Sequence, residues 1–163
     1  MKAATPALVT LEQLGIDYVA HTFDHDAATT DDIGYGRAAA RALGVEEDRV
    51  YKTLLAQSEN GPVVAIVPVN TQLSLKALAQ VLRAKRCEMV AAKDASRITG
   101  YVVGGISPFG QKRILPTVID ESAVLHTTIF VSGGRRGLDI EVGATDLIAA
   151  LHATLGVIAT PSD

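Results

Sequence analysis

Apolar positions in the first segment recur at helical spacing: Leu8, Leu11 and Leu14 follow Thr5-Pro6 and stop at Gly15. A hydroxyl cap, a proline at the first helical position and a terminal glycine predict one short amphipathic helix. Residues 16–23 are rich in β-formers and predict a strand. The polar run 25–32 then leads into a second helix over about 34–43, closed by Gly44. Two β-rich runs, 50–57 and 62–69, flank Ser58-Glu59-Asn60-Gly61, whose Asn-Gly pair predicts an antiparallel hairpin. Residues 72–85 carry Leu75, Leu78, Ala79 and Leu82 at helical spacing, and Asp94 is the expected cap of a shorter helix over 94–98. Strands are expected at 114–120, 127–131 and 138–142, before a closing helix over about 145–155. No linker, repeat or low-complexity stretch divides this order. It predicts a single α/β (α+β) domain over residues 1–163, with a mixed, largely antiparallel sheet or partial barrel flanked by helices.

Several residues break their local pattern. Lys52 falls in period two with Val50, Leu54 and Ala56, a face otherwise apolar. Such a lysine either snorkels to the sheet edge or meets an anion at a cleft. The stretch GYVVGGISPFG (100–110) places glycines around a hydroxyl segment, and Ser107-Pro108-Phe109-Gly110 has the pattern of a type I turn. A tight turn and a ligand loop both fit it. The run SGGRRG (132–137) sets two glycines beside Arg135 and Arg136, which suits either phosphate or a plain hairpin loop. Asp139 alternates with Leu138 and Ile140, so the pattern makes it a solvent-facing carboxylate.

His21 and His25, with Asp24 and Asp26, have a spacing that binds zinc from a helix. Here the segment reads as a strand entering a loop, with no third ligand evident. His126 and His152 read as surface or packing residues, and Cys87 as a small buried hydrophobe without a histidine to act as base. No nucleophile elbow, Walker loop or dinucleotide fingerprint is present.

Composition narrows the reading. Of the 163 residues 48% are hydrophobic, but Trp is absent and aromatics are only 4%, so the core must be aliphatic and base-stacking rings are few. The net charge of −3 gives no bulk attraction to nucleic acid; such a partner needs a local basic patch. Cys87 is the only cysteine, which excludes an intrachain disulfide and fits a reducing compartment. The first residues read as a helix and not as a secretion signal, and no apolar run is long enough to cross a bilayer. The expectation is a cytoplasmic protein without membrane contact.

Taken in order, HTFDHD (21–26), VYKTLL (50–55), TGYVVGGISPFGQK (99–112), LPTVID (115–120) and IFVSGGRRGLDIEV (129–142) closely resemble the YbaK family. That family comprises free-standing Cys-tRNA(Pro) deacylases within the larger group of prolyl-tRNA editing domains. The resemblance implies a trans-editing hydrolase that removes cysteine from mischarged tRNA(Pro), in transient complex with prolyl-tRNA synthetase. It further implies that the substrate's own thiol attacks the ester, so that no metal, cofactor or protein nucleophile is required. By the same resemblance Lys52, Gly104, Gly105 and Ser107 are catalytic, and Tyr51, Thr53, Gly110, Ser132, Gly133, Gly134, Asp139 and His25 bind substrate. A basic rim of Lys112, Arg113, Arg135 and Arg136 is expected to meet the acceptor stem. Deacylation of another small residue such as Ala on tRNA, or a non-catalytic module gripping the tRNA 3′ end, are the alternatives. Oligomeric state is not legible.

Overall fold

Helix α1, Pro6–Leu14, begins where Thr5 Oγ accepts the Leu8 N–H and ends where Gly15 adopts φ +67°. It buries Ala7 and Leu11. The computed structural model describes residues 4–24 and 34–161. Strand β1 is Tyr18–Thr22 and helix α2 is Gly34–Leu43, which buries Ala38, Ala39 and Ala40. Strands β2, Tyr51–Ser58, and β3, Gly61–Pro68, form the expected hairpin, in register from Tyr51↔Pro68 to Ser58↔Gly61. Ser58 closes it: its Oγ accepts the Asn60 N–H and donates to the Gly61 carbonyl.

The chain continues through β4 (Thr71–Leu73), α3 (Leu75–Leu82), β5 (Cys87–Met89), α4 (Ala92–Thr99) and β6 (Thr117–Asp120). A 3₁₀ turn leads to β7 (Thr128–Arg135), β8 (Leu138–Gly143), α5 (Ala144–Leu151), β9 (Thr154–Gly156) and β10 (Ala159–Pro161). Among the described residues three sheets result: a five-stranded one of order β5-β2-β3-β6-β9, a three-stranded one of order β1-β8-β7, and the pair β10-β4. None of them closes into a barrel. The β3–β6 and β6–β9 pairs are parallel and the other pairs antiparallel, so the sheets are mixed as expected. The main core lies between the larger sheets under α1, α4 and α5, with Leu11, Ile66, Ile119, Ile129, Ile140 and Leu147 fully buried. A second cluster packs α3 on the far face of the five-stranded sheet, and a third sits around Ala40, Val50, Val69 and Phe130.

Three element boundaries differ from the sequence expectation. Residues 71–73 are not the first turn of α3; they pair with β10, and Ser74 caps the helix by accepting the Ala77 N–H. The last helix stops at Leu151, because Thr154–Gly156 is drawn into the sheet beside β6. Asp94 is not a cap: Ala91 holds that position and Asp94 lies in the first turn of α4, where an acidic side chain favours the helix dipole.

Candidate functional site

A cleft of about 360 Å³ opens where β2, the start of α2, the segment before α4, the glycine loop and the β7–β8 hairpin converge. Lys52, Thr53, Gly104, Ser132, Arg136 and Asp139 all line it. Lys52 is half-buried. Its Nζ donates to the Thr71 carbonyl at 2.8 Å and has no carboxylate partner among the described residues, and burial lowers its pKa. A desolvated cation without a counter-charge is costly until an anion arrives. Next to it the Thr53 hydroxyl is buried with no hydrogen-bond partner among the described residues. Such a group is a natural ligand contact.

Ser132 and Asp139 are cross-strand partners of the β7–β8 ladder. Asp139 is only 6% exposed, which corrects the expectation of a solvent-facing carboxylate. Alternation does set it opposite Leu138, which is buried, and Ile140, which enters the main core, but the opposite face of β8 is the cleft wall and not bulk water. Burial pushes the Asp139 pKa up to about 7, and no described residue donates a hydrogen bond to its carboxylate.

The sign of the resulting pH effect follows from linkage. The folded chain binds the Asp139 proton more tightly than the unfolded chain, so this contribution is full at low pH and is lost as pH rises towards about 7. Asp139→Asn cannot ionise and should escape the loss. Relative to the unsubstituted protein it should gain about 2–3 kcal/mol of stability between pH 5 and pH 9. Denaturant titrations at both pH values check this; an equal difference at the two would contradict it.

The glycine loop contributes unevenly. Gly104 adopts φ +89° and lines the cleft, and its N–H has no partner among the described residues. Gly105 donates its N–H to the Val102 carbonyl at 2.8 Å, so it is not free to serve an oxyanion. Its part is steric: a Cβ there would stand 2.8 Å from the Arg135 Cα, so glycine lets the loop lie against the hairpin. Ser107 is fully buried with its Oγ accepting the Phe109 N–H, the turn reading of that segment. Gly110, at φ +71°, packs on the Pro6 carbonyl.

Gly133 and Gly134 belong to β7 and its bulge and not to an open loop. The Gly133 carbonyl accepts from Thr5 Oγ1, the Gly134 N–H donates to Ser132 Oγ, and a Cβ on Gly134 would meet Thr5 and Tyr101. Ser107, Gly110, Gly133 and Gly134 therefore support the cleft from behind without lining it. Tyr51 borders it, but its hydroxyl is bonded to Ser122 Oγ at 2.7 Å and burial pushes its pKa up to about 12.

Among the basic residues, Arg136 reaches the cleft. Its guanidinium lies 4.9 Å from the Tyr35 ring centroid, and Nε donates to the Val103 carbonyl at 3.2 Å. Arg135 is half-buried in the β7 bulge, while Lys112 and Arg113 stand exposed after Gly110, outside the cleft wall. His25 lies outside the described residues. His21 bonds Glu141 at 3.1 Å, within a network that includes Arg49 and Thr128. Among the described residues no group of three His, Cys, Asp or Glu side chains is placed to hold a metal, and no helix is long and apolar enough to cross a membrane. Tyr35 was missed in the sequence. The signal was there: an aromatic ring in a ring-poor chain, set between Gly34 and Gly36 at the start of a helix.

A profile of the aminoacyl-tRNA editing domain matches residues 32–150, which span every residue lining the cleft. The chain belongs to the aminoacyl-tRNA editing domain family. EbsC of Enterococcus faecalis, provisionally named a Cys-tRNA(Pro)/Cys-tRNA(Cys) deacylase, is 36% identical over 157 residues, covering 96% of this chain and 93% of the relative. Part of the proline–tRNA ligase of Maridesulfovibrio salexigens is 30% identical over 95 residues, 58% of this editing domain and 16% of the ligase. The crystal structure of a candidate trans-editing enzyme for prolyl tRNA synthetase superposes with TM-score 0.83 at 20% identity, covering 98% of this chain and 99% of that one. It shares the fold.

Proposed function

We propose that this editing domain, acting as one unit over residues 1–163, deacylates mischarged Cys-tRNA(Pro) in trans, and that the substrate's thiol is the nucleophile. The observation that carries the reading is the donor set of the cleft. An ammonium with no carboxylate bonded to it (Lys52) and a backbone N–H with no acceptor (Gly104), both among the described residues, together with a buried carboxylate (Asp139), surround a space lined mostly by apolar side chains. That set fits an aminoacyl ester with a phosphate on one side and an amino group on the other. The likeness to EbsC over nearly the whole chain supports the same substrate.

In the proposed reaction the cysteine sulfur bonds to its own carbonyl carbon, the bond to the ribose oxygen breaks, and the thiol proton passes to that oxygen. The products are free tRNA and a cyclic thioester, which water opens to cysteine. The Gly104 N–H faces the developing oxyanion, where a fixed donor acts most strongly. Lys52 holds the terminal adenosine or its phosphate. Ser132 and Asp139 receive the α-ammonium, with Thr53 as a further polar contact. Of the residues expected from the sequence, Gly105, Ser107, Gly110, Gly133 and Gly134 act by shaping the wall. Arg135, Lys112 and Arg113 give the acceptor stem a local basic rim despite the net charge of −3.

Such an enzyme answers a limit of binding. Cysteine and proline are similar in size, and a synthetase pocket separates near-isosteres by only about 1–3 kcal/mol. A second site must remove the product. The match to part of a proline–tRNA ligase fits such a second site, meeting the synthetase's product in transient complex and in the cytoplasm where tRNA is charged. The test is a panel of Cys-, Ala-, Ser- and Pro-tRNA(Pro) with the purified protein. Cysteine should be released far faster than the others and proline should be spared. Preferential release of alanine would reassign the substrate, and binding without turnover of any would leave a tRNA-binding module.

A further inference from the structure

Aromatic rings are scarce in this chain: three Phe, four Tyr and no Trp. Two of them, Tyr35 and Tyr51, reach the cleft. Tyr51 is 2% exposed and its hydroxyl is held by Ser122, so its ring belongs to the core. Tyr35 is different. It stands half-buried at the first turn of α2, with the Arg136 guanidinium over its ring at 4.9 Å.

Both members of this pair are fixed from outside. The Tyr35 hydroxyl accepts the Gly137 N–H at 2.9 Å, which ties α2 to the β7–β8 hairpin. The Arg136 Nε donates to the Val103 carbonyl at 3.2 Å, which ties the same hairpin to the glycine loop. The guanidinium is thus held over the ring before any ligand binds, so that little ordering remains to be done when a flat group arrives. Guanidinium planes are weakly hydrated and stack readily, and a base on an aromatic or guanidinium face gains affinity without reading sequence.

We propose that the Tyr35–Arg136 pair is the seat of the terminal adenine of the charged tRNA. The inference rests on the deacylase reading, because it takes the base to be that of the nucleotide bearing the ester. Position supports it. A Cβ on Gly104 would stand 2.6 Å from Arg136 Nε, so the stacking pair touches the loop whose free N–H faces the ester, and the ribose must bridge just such a short gap between base and carbonyl. Lys52 in the same cleft then meets the 5′-phosphate of that nucleotide. Arg136 accordingly contacts a base, while Arg135, Lys112 and Arg113 serve the phosphates of the stem.

The probe is AMP, with ribose 5-phosphate as the base-free control, titrated into the full chain by NMR. The two substitutions Tyr35→Phe and Tyr35→Leu both remove the bond to Gly137, and only the second removes the ring. AMP should bind the Phe variant within about twofold of the original. Binding to Tyr35→Leu and Arg136→Ala should be at least about tenfold weaker, the lower part of the range for losing one stacked base. Ribose 5-phosphate should bind more weakly than AMP and respond to none of the three. Equal losses in the Phe and Leu variants, AMP binding unchanged in Tyr35→Leu, or no detectable AMP binding by the original would overturn the assignment. The readout is independent of turnover. A protein that stacks AMP here but deacylates no tRNA refutes the function and keeps the seat, and one that deacylates Cys-tRNA(Pro) without needing the Tyr35 ring does the reverse.

Discussion

Replacing Lys52 by alanine is expected to lower single-turnover deacylation of Cys-tRNA(Pro) by about 100-fold, the scale of loss when a group that positions the substrate is removed and the ester is misplaced by about 1 Å. The fold should survive. Lys52 is half-buried, bonds one carbonyl and has no counter-charge among the described residues, so its removal leaves no stranded carboxylate and no large cavity. Denaturation midpoints of the variant should match the original closely. Lys52→Arg should recover only part of the rate, since the guanidinium is broader, planar and cannot reproduce a compact ammonium at the same depth. Near-normal turnover in Lys52→Ala would remove this side chain from the site.

Gly105→Ala should act through the backbone and affect both stability and rate. The new methyl would stand 2.8 Å from the Arg135 Cα and 3.0 Å from its carbonyl carbon, neither of which can swing aside as a side-chain end can. Overpacking of this kind costs about 1–3 kcal/mol. The elements it forces apart carry Gly104 on one side and Ser132 and Arg136 on the other, so deacylation should fall with stability. Gly104→Ala differs. Its methyl would meet a side-chain end, the Arg136 guanidinium, and not backbone, and its main cost is a φ of +89°, about 1–3 kcal/mol for a strained non-glycine residue. An unfolding midpoint for Gly105→Ala equal to that of the original would show that the loop and hairpin do not press together as described.

How much of this was legible in the sequence depended on how local the cause was. Helix α1 is written in Thr5, Pro6 and Gly15, and the β2–β3 hairpin in Asn60-Gly61; each signal sits within the element it specifies. Lys52 stood out for the same reason, a charge on an apolar strand face. The short strands β4, β9 and β10 were not legible, because what makes them strands is a partner far along the chain: Leu73 opposite Ala159, and Leu155 beside Ile119. A three-residue run has no period of its own to detect.

Asp139 shows a subtler limit. Alternation assigned its face correctly but could not say that α2 and β2 cover that face and turn it into a cleft wall. The glycine-rich stretches divided in a way that only tertiary contacts decide. Gly104 opens to the cleft, whereas Gly105, Gly110, Gly133 and Gly134 allow close approach to Arg135, Pro6, Leu138 and Thr5. In the sequence they look alike.

The proposed attack of the substrate's own sulfur on the ester within this cleft is tested most directly by a pair of single-turnover time courses on Cys-tRNA(Pro) and its S-methylated form. A methyl on sulfur changes the volume little but leaves a thioether, which lacks both the thiol proposed as nucleophile and the proton proposed to reach the departing ribose oxygen. A neutral pocket would separate the two by about 1–3 kcal/mol at most, whereas loss of the nucleophile removes the reaction altogether. Substrate-assisted cleavage predicts rapid release of cysteine from the first and none from the second, with the methylated tRNA still competing for the site. Cleavage of the S-methylated substrate at a comparable rate would contradict it and assign the attack to a water molecule.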